Sequence, residues 1–160
     1  MDFLWTPWRY KYIAGAGRDD RCIFCEALKA GDEKAHIVLR GELNFVILNA
    51  FPYTSGHVMI VPYAHGGDFA DVPHKTLAEM MSITQRVQAA LATVYKPQGF
   101  NLGMNLGHCA GAGITDHVHM HLLPRWIGDA NFMSTIAETR MEPEDLDTTY
   151  KKLREALGVK

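Results

Sequence analysis

The segment His117-Val-His-Met-His-Leu-Leu123 constrains this chain more than any other. Three histidines alternate with three apolar residues, and in an extended strand successive side chains point to opposite faces. His117, His119 and His121 then share one face, while Val118, Met120 and Leu122 form a core face behind it. A helix would turn His119 roughly 200° away from His117 and split the set. An ordinary wet sheet face is the plain alternative. A row of imidazoles is better suited to acid–base or nucleophilic work, because each titrates close to neutrality.

The rest of the chain supplies a sheet for that strand and helices to cover it. Runs rich in Val, Ile, Leu and Phe predict strands at 36–40, 43–49 and 57–62, with turns at Arg40-Gly41-Glu42 and from Ala50 to Gly56 that favour an antiparallel meander. From His74 to Tyr95, Leu77, Met80, Met81, Thr84, Val87, Leu91 and Val94 form one helical stripe; Lys75, Glu79, Gln85 and Gln88 lie off it, and Pro97 stops the helix. Further strands are expected at 100–105 and 115–123. A last helix is expected to begin near Pro143 with Glu144 and Asp145 in its first turn, where acidic groups complement the helix dipole. This order predicts an α+β fold with a mainly antiparallel sheet, a long helix and a C-terminal helix.

Composition narrows the function. The 160 residues are 48% hydrophobic, enough for one well-buried core, so a single domain is expected over 1–160, opened by an aromatic arm at 1–20 that carries Trp5, Trp8, Arg9, Tyr10 and Tyr12. Lys+Arg 16 against Asp+Glu 18 leaves a net charge of −2, which supplies no broad positive field for nucleic acid or an anionic membrane. Neither is expected as a partner. Apolar runs such as Phe45 to Leu48 and Val58 to Val61 fall far below the roughly 20 residues that span a bilayer. The N-terminal residues lack a signal-peptide pattern, and three cysteines do not make a disulfide framework, so a reducing, cytoplasmic setting is expected.

Two further stretches carry chemistry. Gly107-His-Cys-Ala-Gly-Ala-Gly113 is too glycine-rich for an element interior, and backbone N–H groups at Gly111 and Gly113 suit an anion beside the histidines. A plain turn is the alternative. The loop has neither the lysine of a P-loop nor the strand-to-helix setting of a dinucleotide fold. Cys22-Ile-Phe-Cys25 has the spacing that lets two thiolates reach one metal; the rival is a reduced pair in the core, and no βαβ unit precedes it to favour a redox role. Cys109 reads as a loop residue, and His36, His74 and His108 as surface or packing residues, with His108 close enough in sequence to reach a phosphate.

The His-x-His-x-His strand, Gly56-His-Val-Met-Ile-Val-Pro62 ahead of the long helix, and Asn105 on the preceding strand together resemble the histidine triad (HIT) superfamily of nucleotide hydrolases and transferases, over about 22–126. Trp5-Thr-Pro-Trp-Arg9 and Pro124-Arg-Trp-Ile-Gly-Asp-Ala-Asn-Phe132 look more like the bacterial branch that includes diadenosine tetraphosphate phosphorylases. The resemblance implies that His119 is a nucleophile that attacks an α-phosphate and forms a covalent nucleotidyl-histidine. It implies that His121 contacts the phosphate, that His57 is the fourth active-site histidine, that Asn49 bonds ribose hydroxyls, and that Asn105 lies next to the phosphates. Phe45 and Ile47 match the region of an apolar base pocket, with core packing as their other reading. In several relatives a Cys pair is completed by two histidines, which match His65 and His117 here; the implied Cys2His2 zinc site is closed and structural. A two-fold dimer joined edge to edge is the family's usual assembly.

One position departs from the pattern. The hydrolase branches carry a Gln followed by Ser or Thr in the loop before the triad, and those positions here are Gly113 and Ile114. The departure favours phosphorolysis, with inorganic phosphate resolving the intermediate. A nucleotide or phosphoramidate hydrolase is the alternative within the family. A non-catalytic nucleotide-binding or scaffold module and a metal-handling protein are the alternatives outside it, the last weakened because Asp116 is the only nearby carboxylate and is expected on the opposite face.

Overall fold

The computed structural model describes residues 21–129 and 144–159. The arm at 1–20, residues 130–132 of the tryptophan-containing flank, and Pro143 lie outside the described residues. The chain runs through α1 (Ile23–Ala30), α2 (Asp32–Ala35), β1 (Ile37–Arg40), β2 (Asn44–Leu48), β3 (Val58–Pro62), α3 (His74–Tyr95), β4 (Gly99–Gly103), β5 (Met120–Arg125) and α4 (Leu146–Leu157). The strands make one antiparallel sheet in the order β1-β2-β3-β5-β4. This is the expected α+β architecture, with the long helix spanning the expected residues. No helix among the described residues is long and apolar enough to cross a membrane.

Register assigns side chains to faces. Met59 is paired with Ile47 on one side and His121 on the other, so the three share one face; Val46, Ile60 and Met120 share the other. Against the second face pack Met80, Ile83, Val87 and Leu91 of α3 and Leu153 of α4, all buried. The α3 stripe is rotated from its expected position: Ile83 and Ala90 are buried, whereas Met81 is exposed. Met81 lies roughly 100° round the helix from Met80, too far to reach the sheet. Glu79 also does more than face solvent. Its carboxylate accepts from the backbone N–H of Glu42 (2.6 Å) and Leu43 (2.8 Å) and from Asn44 Nδ2 (2.6 Å), which pins the β1–β2 turn to α3. Burial alone would raise its pKa, but these bonds outweigh burial and hold the carboxyl below its usual range.

α4 starts later than the sequence suggests. Asp145 is its N-cap, accepting from the Thr148 N–H at 2.8 Å, and Asp147 occupies the first turn. Glu144 precedes the helix and takes the hydroxyls of Tyr95 and Thr149 together with Lys152, tying α4 to the end of α3. On the opposite face of the sheet, Phe24 from α1 packs with Ile37, Phe45, Ile47, Met59 and Val61. That cluster changes the expectation for the histidine strand: both faces are covered, and His117 is 0% exposed. β5 also begins only at Met120 rather than near 115, because β3 pairs with it only from Val58 to Ile60; the Val118 N–H goes instead to Gly66 O at 2.8 Å, outside the ladder.

Candidate active site and metal centre

Residues 117–121, which lead into β5, deliver their histidines to two adjoining places. His117 turns toward α1 and the loop after β3. There its Nδ1 lies 3.3 Å from Cys22 Sγ and 3.9 Å from Cys25 Sγ, while His65 Nδ1 lies 3.6 Å from Cys25 Sγ. The four ligand atoms lie within 4.8 Å of one another. Zinc–sulfur and zinc–nitrogen bonds near 2.3 and 2.0 Å at a tetrahedral angle place sulfur and nitrogen about 3.5 Å apart, so the donor set fits such an ion. The His117 Nε2–H donates to Pro62 O at 2.9 Å, which leaves the Nδ1 lone pair aimed at the cysteines. Burial and the adjacent Cys22 push the Cys25 thiol up. A divalent cation bound there would reverse that balance by stabilising both thiolates.

Local sequence accounts for the convergence. Cys22 and Cys25 flank the first turn of α1, so both thiols project from one end of a helix. Between them, Phe24 is buried with its ring 5.3 Å from His117 and 5.0 Å from His119, joining α1 to the triad. Gly67 lets the His65 loop pass against the backbone at Thr115, where a Cβ would sit 2.2 Å from the carbonyl oxygen.

The second place holds His119, His121 and His57, and their partners dictate the tautomers. The His119 Nδ1–H donates to the His117 carbonyl at 2.9 Å, so neutral His119 presents its lone pair on Nε2. The Tyr53 backbone N–H donates to His57 Nδ1 at 3.1 Å, placing the His57 proton on Nε2. That proton points to His121 Nδ1 at 2.9 Å, which leaves His121 with an N–H at Nε2. One imidazole therefore offers an electron pair and its neighbour, with ring centroids 5.0 Å apart, offers a proton. A nucleophile beside a hydrogen-bond donor is an arrangement suited to group transfer.

Asn49, just past β2, brings Nδ2 to 3.4 Å from His57 Nδ1 and accepts the Phe51 N–H at 2.9 Å, so its amide is oriented at the histidine pair. Asn105 lies two residues beyond the Gly103–His121 pair, half-buried, with Nδ2 4.0 Å from the Cβ position of Gly111. Gly111 adopts φ +89 after the short turn His108–Ala110, a conformation that favours glycine. Gly111 and Gly113 are both exposed. Phe45 and Ile47 are buried in the cluster under α1, with Phe45 stacked on Tyr63 at 5.5 Å. Sequence reasoning missed Tyr53 and Phe24. Neither carries a periodic signal; the only hint for Phe24 was its place between the cysteines.

Burial pushes the pKa of His117 and His119 below the ordinary histidine value and, reinforced by the charge of His119, takes His121 down to about 4. The unfolded chain titrates His121 near 6.5, so it binds the proton first on acidification. The stability tied to neutral His121 is complete above that pH and is lost as pH falls toward 4. A gap of this size corresponds to about 3 kcal/mol per proton, reduced by the partial solvent access of a half-buried ring. Urea unfolding at pH 7, 5.5 and 4.5 is expected to show a falling midpoint, with a shallower fall in His121→Asn. Parallel curves for the two proteins would remove His121 from the account.

The sequence profile of the HIT domain matches residues 30–126. The chain belongs to the HIT family. Among HIT relatives, the AP-4-A phosphorylase of Mycobacterium tuberculosis is 39% identical over 158 residues, covering 94% of this chain and 81% of that protein. The adenosine 5′-monophosphoramidase of Saccharomyces cerevisiae is 32% identical over 115 residues, covering 72% of this chain and 69% of its own length. A Zn-bound histidine triad family protein from Mycobacterium smegmatis has a crystal structure that superposes with a TM-score of 0.70 at 32% identity, covering 90% of this chain and 96% of that one.

Proposed function

We propose that this HIT protein cleaves diadenosine polyphosphates at an α-phosphate through a covalent nucleotidyl-histidine on His119 and passes the nucleotidyl group to inorganic phosphate. The observation that carries this reading is the 2.9 Å bond from His119 Nδ1 to the His117 carbonyl, which leaves the lone pair on Nε2. The 39% identity to a phosphorylase of diadenosine tetraphosphate supports the substrate class. In the first step the Nε2 pair forms a bond to the α-phosphorus, and the bond from phosphorus to the bridging oxygen breaks, releasing ATP. In the second step an oxygen of inorganic phosphate attacks the same phosphorus, the N–P bond breaks, and ADP leaves with His119 restored.

His121 Nε2–H donates to a non-bridging phosphate oxygen, and His57 holds His121 in the tautomer that makes this possible. His121 is neutral at pH 7, so it acts as a hydrogen-bond donor rather than a positive charge. The leaving group needs little help: a terminal phosphate oxygen has a second pKa near 6 and departs as a stable anion at neutral pH. This accounts for a site with Gly113 and Ile114 where hydrolases carry Gln and a hydroxyl residue. Asn49 bonds ribose hydroxyls. Asn105 with the Gly111 and Gly113 backbone contacts phosphate oxygens, and Phe45 with Ile47 backs the pocket of the base.

Cys22, Cys25, His65 and His117 hold a structural zinc ion in this reading. Four protein ligands leave no open position, so the ion supplies rigidity and no Lewis acid. The reading includes a single domain over 1–160, a cytoplasmic location, and a two-fold dimer joined along β4. β4 has no second neighbour among the described residues, and its Asn101, Leu102 and Gly103 are exposed.

Chromatographic analysis of diadenosine tetraphosphate turnover with and without inorganic phosphate tests the proposal. ADP plus ATP formed only with phosphate is the expected result. AMP plus ATP formed without phosphate would make the chain a hydrolase, and no turnover of either kind would overturn the substrate class.

A further inference from the structure

The sulfurs of Cys22 and Cys25 are placed for a bond to each other as well as for a metal. Cys22 is the N-cap of α1 and Cys25 lies in its first turn. Cα atoms three residues apart on an ideal helix are roughly 5 Å from each other, inside the span of about 4.4–6.8 Å that a disulfide bridges. The two sulfurs lie within 4.8 Å of one another, neither is in a disulfide, and each residue is only partly buried.

Metal and disulfide exclude one another at this place. Sulfur binds a divalent cation as a thiolate, and a disulfide has given up that charge, so closing the bond would leave His65 and His117 as the remaining donors of the cluster. Two imidazoles do not make the four-ligand set of a structural zinc site. The two states also differ in what they tie together. The cluster relates Cys25 to His65, 40 residues away, and to His117, 92 residues away. The disulfide closes a short loop within one helical turn and constrains no other element. Phe24, between the two cysteines, carries its ring 5.0 Å from that of His119, so the change begins beside the proposed nucleophile.

We propose that Cys22 and Cys25 form a redox switch, in which hydrogen peroxide converts the pair to a disulfide and so releases the metal that ties α1 to the histidine segment. This rests on the reading of Cys22, Cys25, His65 and His117 as a metal site. One thiolate attacks a peroxide oxygen, the O–O bond breaks, and hydroxide leaves behind a sulfenic acid. The second thiolate attacks that sulfur, the S–O bond breaks, and a second hydroxide departs. The pair gives up two electrons, the peroxide takes them, and two protons from solvent turn both hydroxides into water. A dithiol reductant reverses the change and restores the donors. No βαβ unit precedes the pair, so it switches this chain rather than catalysing exchange in others.

Peroxide titration of the isolated protein tests it, with zinc release read by a colorimetric chelator and each cysteine followed by peptide mass mapping. Cys109, free and exposed on the turn His108–Ala110, is the internal comparison. The expected result is a Cys22–Cys25 peptide about 2 Da lighter, formed in step with release of about one zinc per disulfide, while Cys109 yields a sulfenic acid that a dione probe traps. Dithiothreitol with added zinc is expected to restore both thiols and the metal. Sulfenic or sulfinic acid persisting on Cys22 or Cys25, or a disulfide from either to Cys109, would overturn the proposal. A pair that stays reduced with its zinc bound after Cys109 is fully oxidised would also overturn it, and would leave the metal reading standing. If the protein neither holds nor takes up zinc, the metal reading fails and the switch with it.

Discussion

Replacing His119 by Ala is expected to lower diadenosine tetraphosphate turnover by about 10³-fold or more, because the route through a covalent intermediate disappears with the nucleophile. The buried ring also fills space between Phe24 and His121. Its removal leaves a small cavity and an unpaired His117 carbonyl, at a cost of about 1–3 kcal/mol. Stability and activity therefore have to be read together: a melting curve with the wild-type shape, moderately lower Tm and no turnover is the expected combination. His119→Gly with added imidazole separates the two effects, since free imidazole can occupy the vacated volume and supply the attacking nitrogen. Wild-type protein mixed rapidly with substrate and no phosphate is expected to accumulate an acid-labile phosphorus–nitrogen adduct, which His119→Ala cannot form. Turnover by His119→Ala within about 10-fold of wild type would remove the nucleophile assignment.

Cys22→Ser is the second change expected to have a large effect, and it acts on stability first. Cys22 Sγ lies 3.3 Å from His117 Nδ1, and a hydroxyl there is a poor zinc ligand, so the variant is expected to lose the ion. A metal held by Cys22, Cys25, His65 and His117 would join the start of α1, the loop after β3 and the segment leading into β5, three parts of the chain that are distant in sequence. Its loss is expected to cost at least about 3 kcal/mol, a fall in Tm of roughly 10 °C for a chain of this size. Metal analysis should find about one zinc per chain in the wild type and little in the variant. Turnover should fall less than stability, because His119 keeps its bond to the His117 carbonyl as long as that segment stays in place. A wild-type protein that holds no metal and melts at the same temperature with and without a strong chelator would sink the zinc assignment.

The two effects are linked through one residue. His117 offers Nδ1 to the cysteine pair, donates from Nε2 to Pro62, and accepts from His119 at its backbone oxygen. In the proposed reading, a metal held by this cluster would support His119 through one backbone hydrogen bond. This explains why the first histidine of the triad belongs to a different cluster from the other two, although all three alternate in the same short stretch.

Much of this arrangement was legible in the amino-acid sequence. The alternation from His117 to Leu122, the apolar runs with Gly and Pro between them, and the stripe along α3 together specified an α+β fold, because side-chain periodicity is a local property that a chain cannot hide. Cys22 and Cys25 carried half of a metal site in their spacing, and their two histidine partners were reached only through resemblance to relatives. The tertiary structure alone decided the rest. Whether the histidine face would be wet or covered depended on α1, which docks Phe24 over it from nearly a hundred residues away. Where β5 begins depended on its pairing with β3 stopping at Ile60 and on the hydrogen bond from the Val118 N–H to Gly66, neither of which is written at 115–119. Glu79 looked like a surface residue of a helix and proved to clamp a turn between two strands; Tyr53 looked like part of a connecting loop and proved to set the tautomer of His57 through its backbone. Periodicity reports which face a residue takes within its own element, but hydrogen bonds and metal geometry join atoms from separate elements, and those distances exist only once the sheet has brought its strands together.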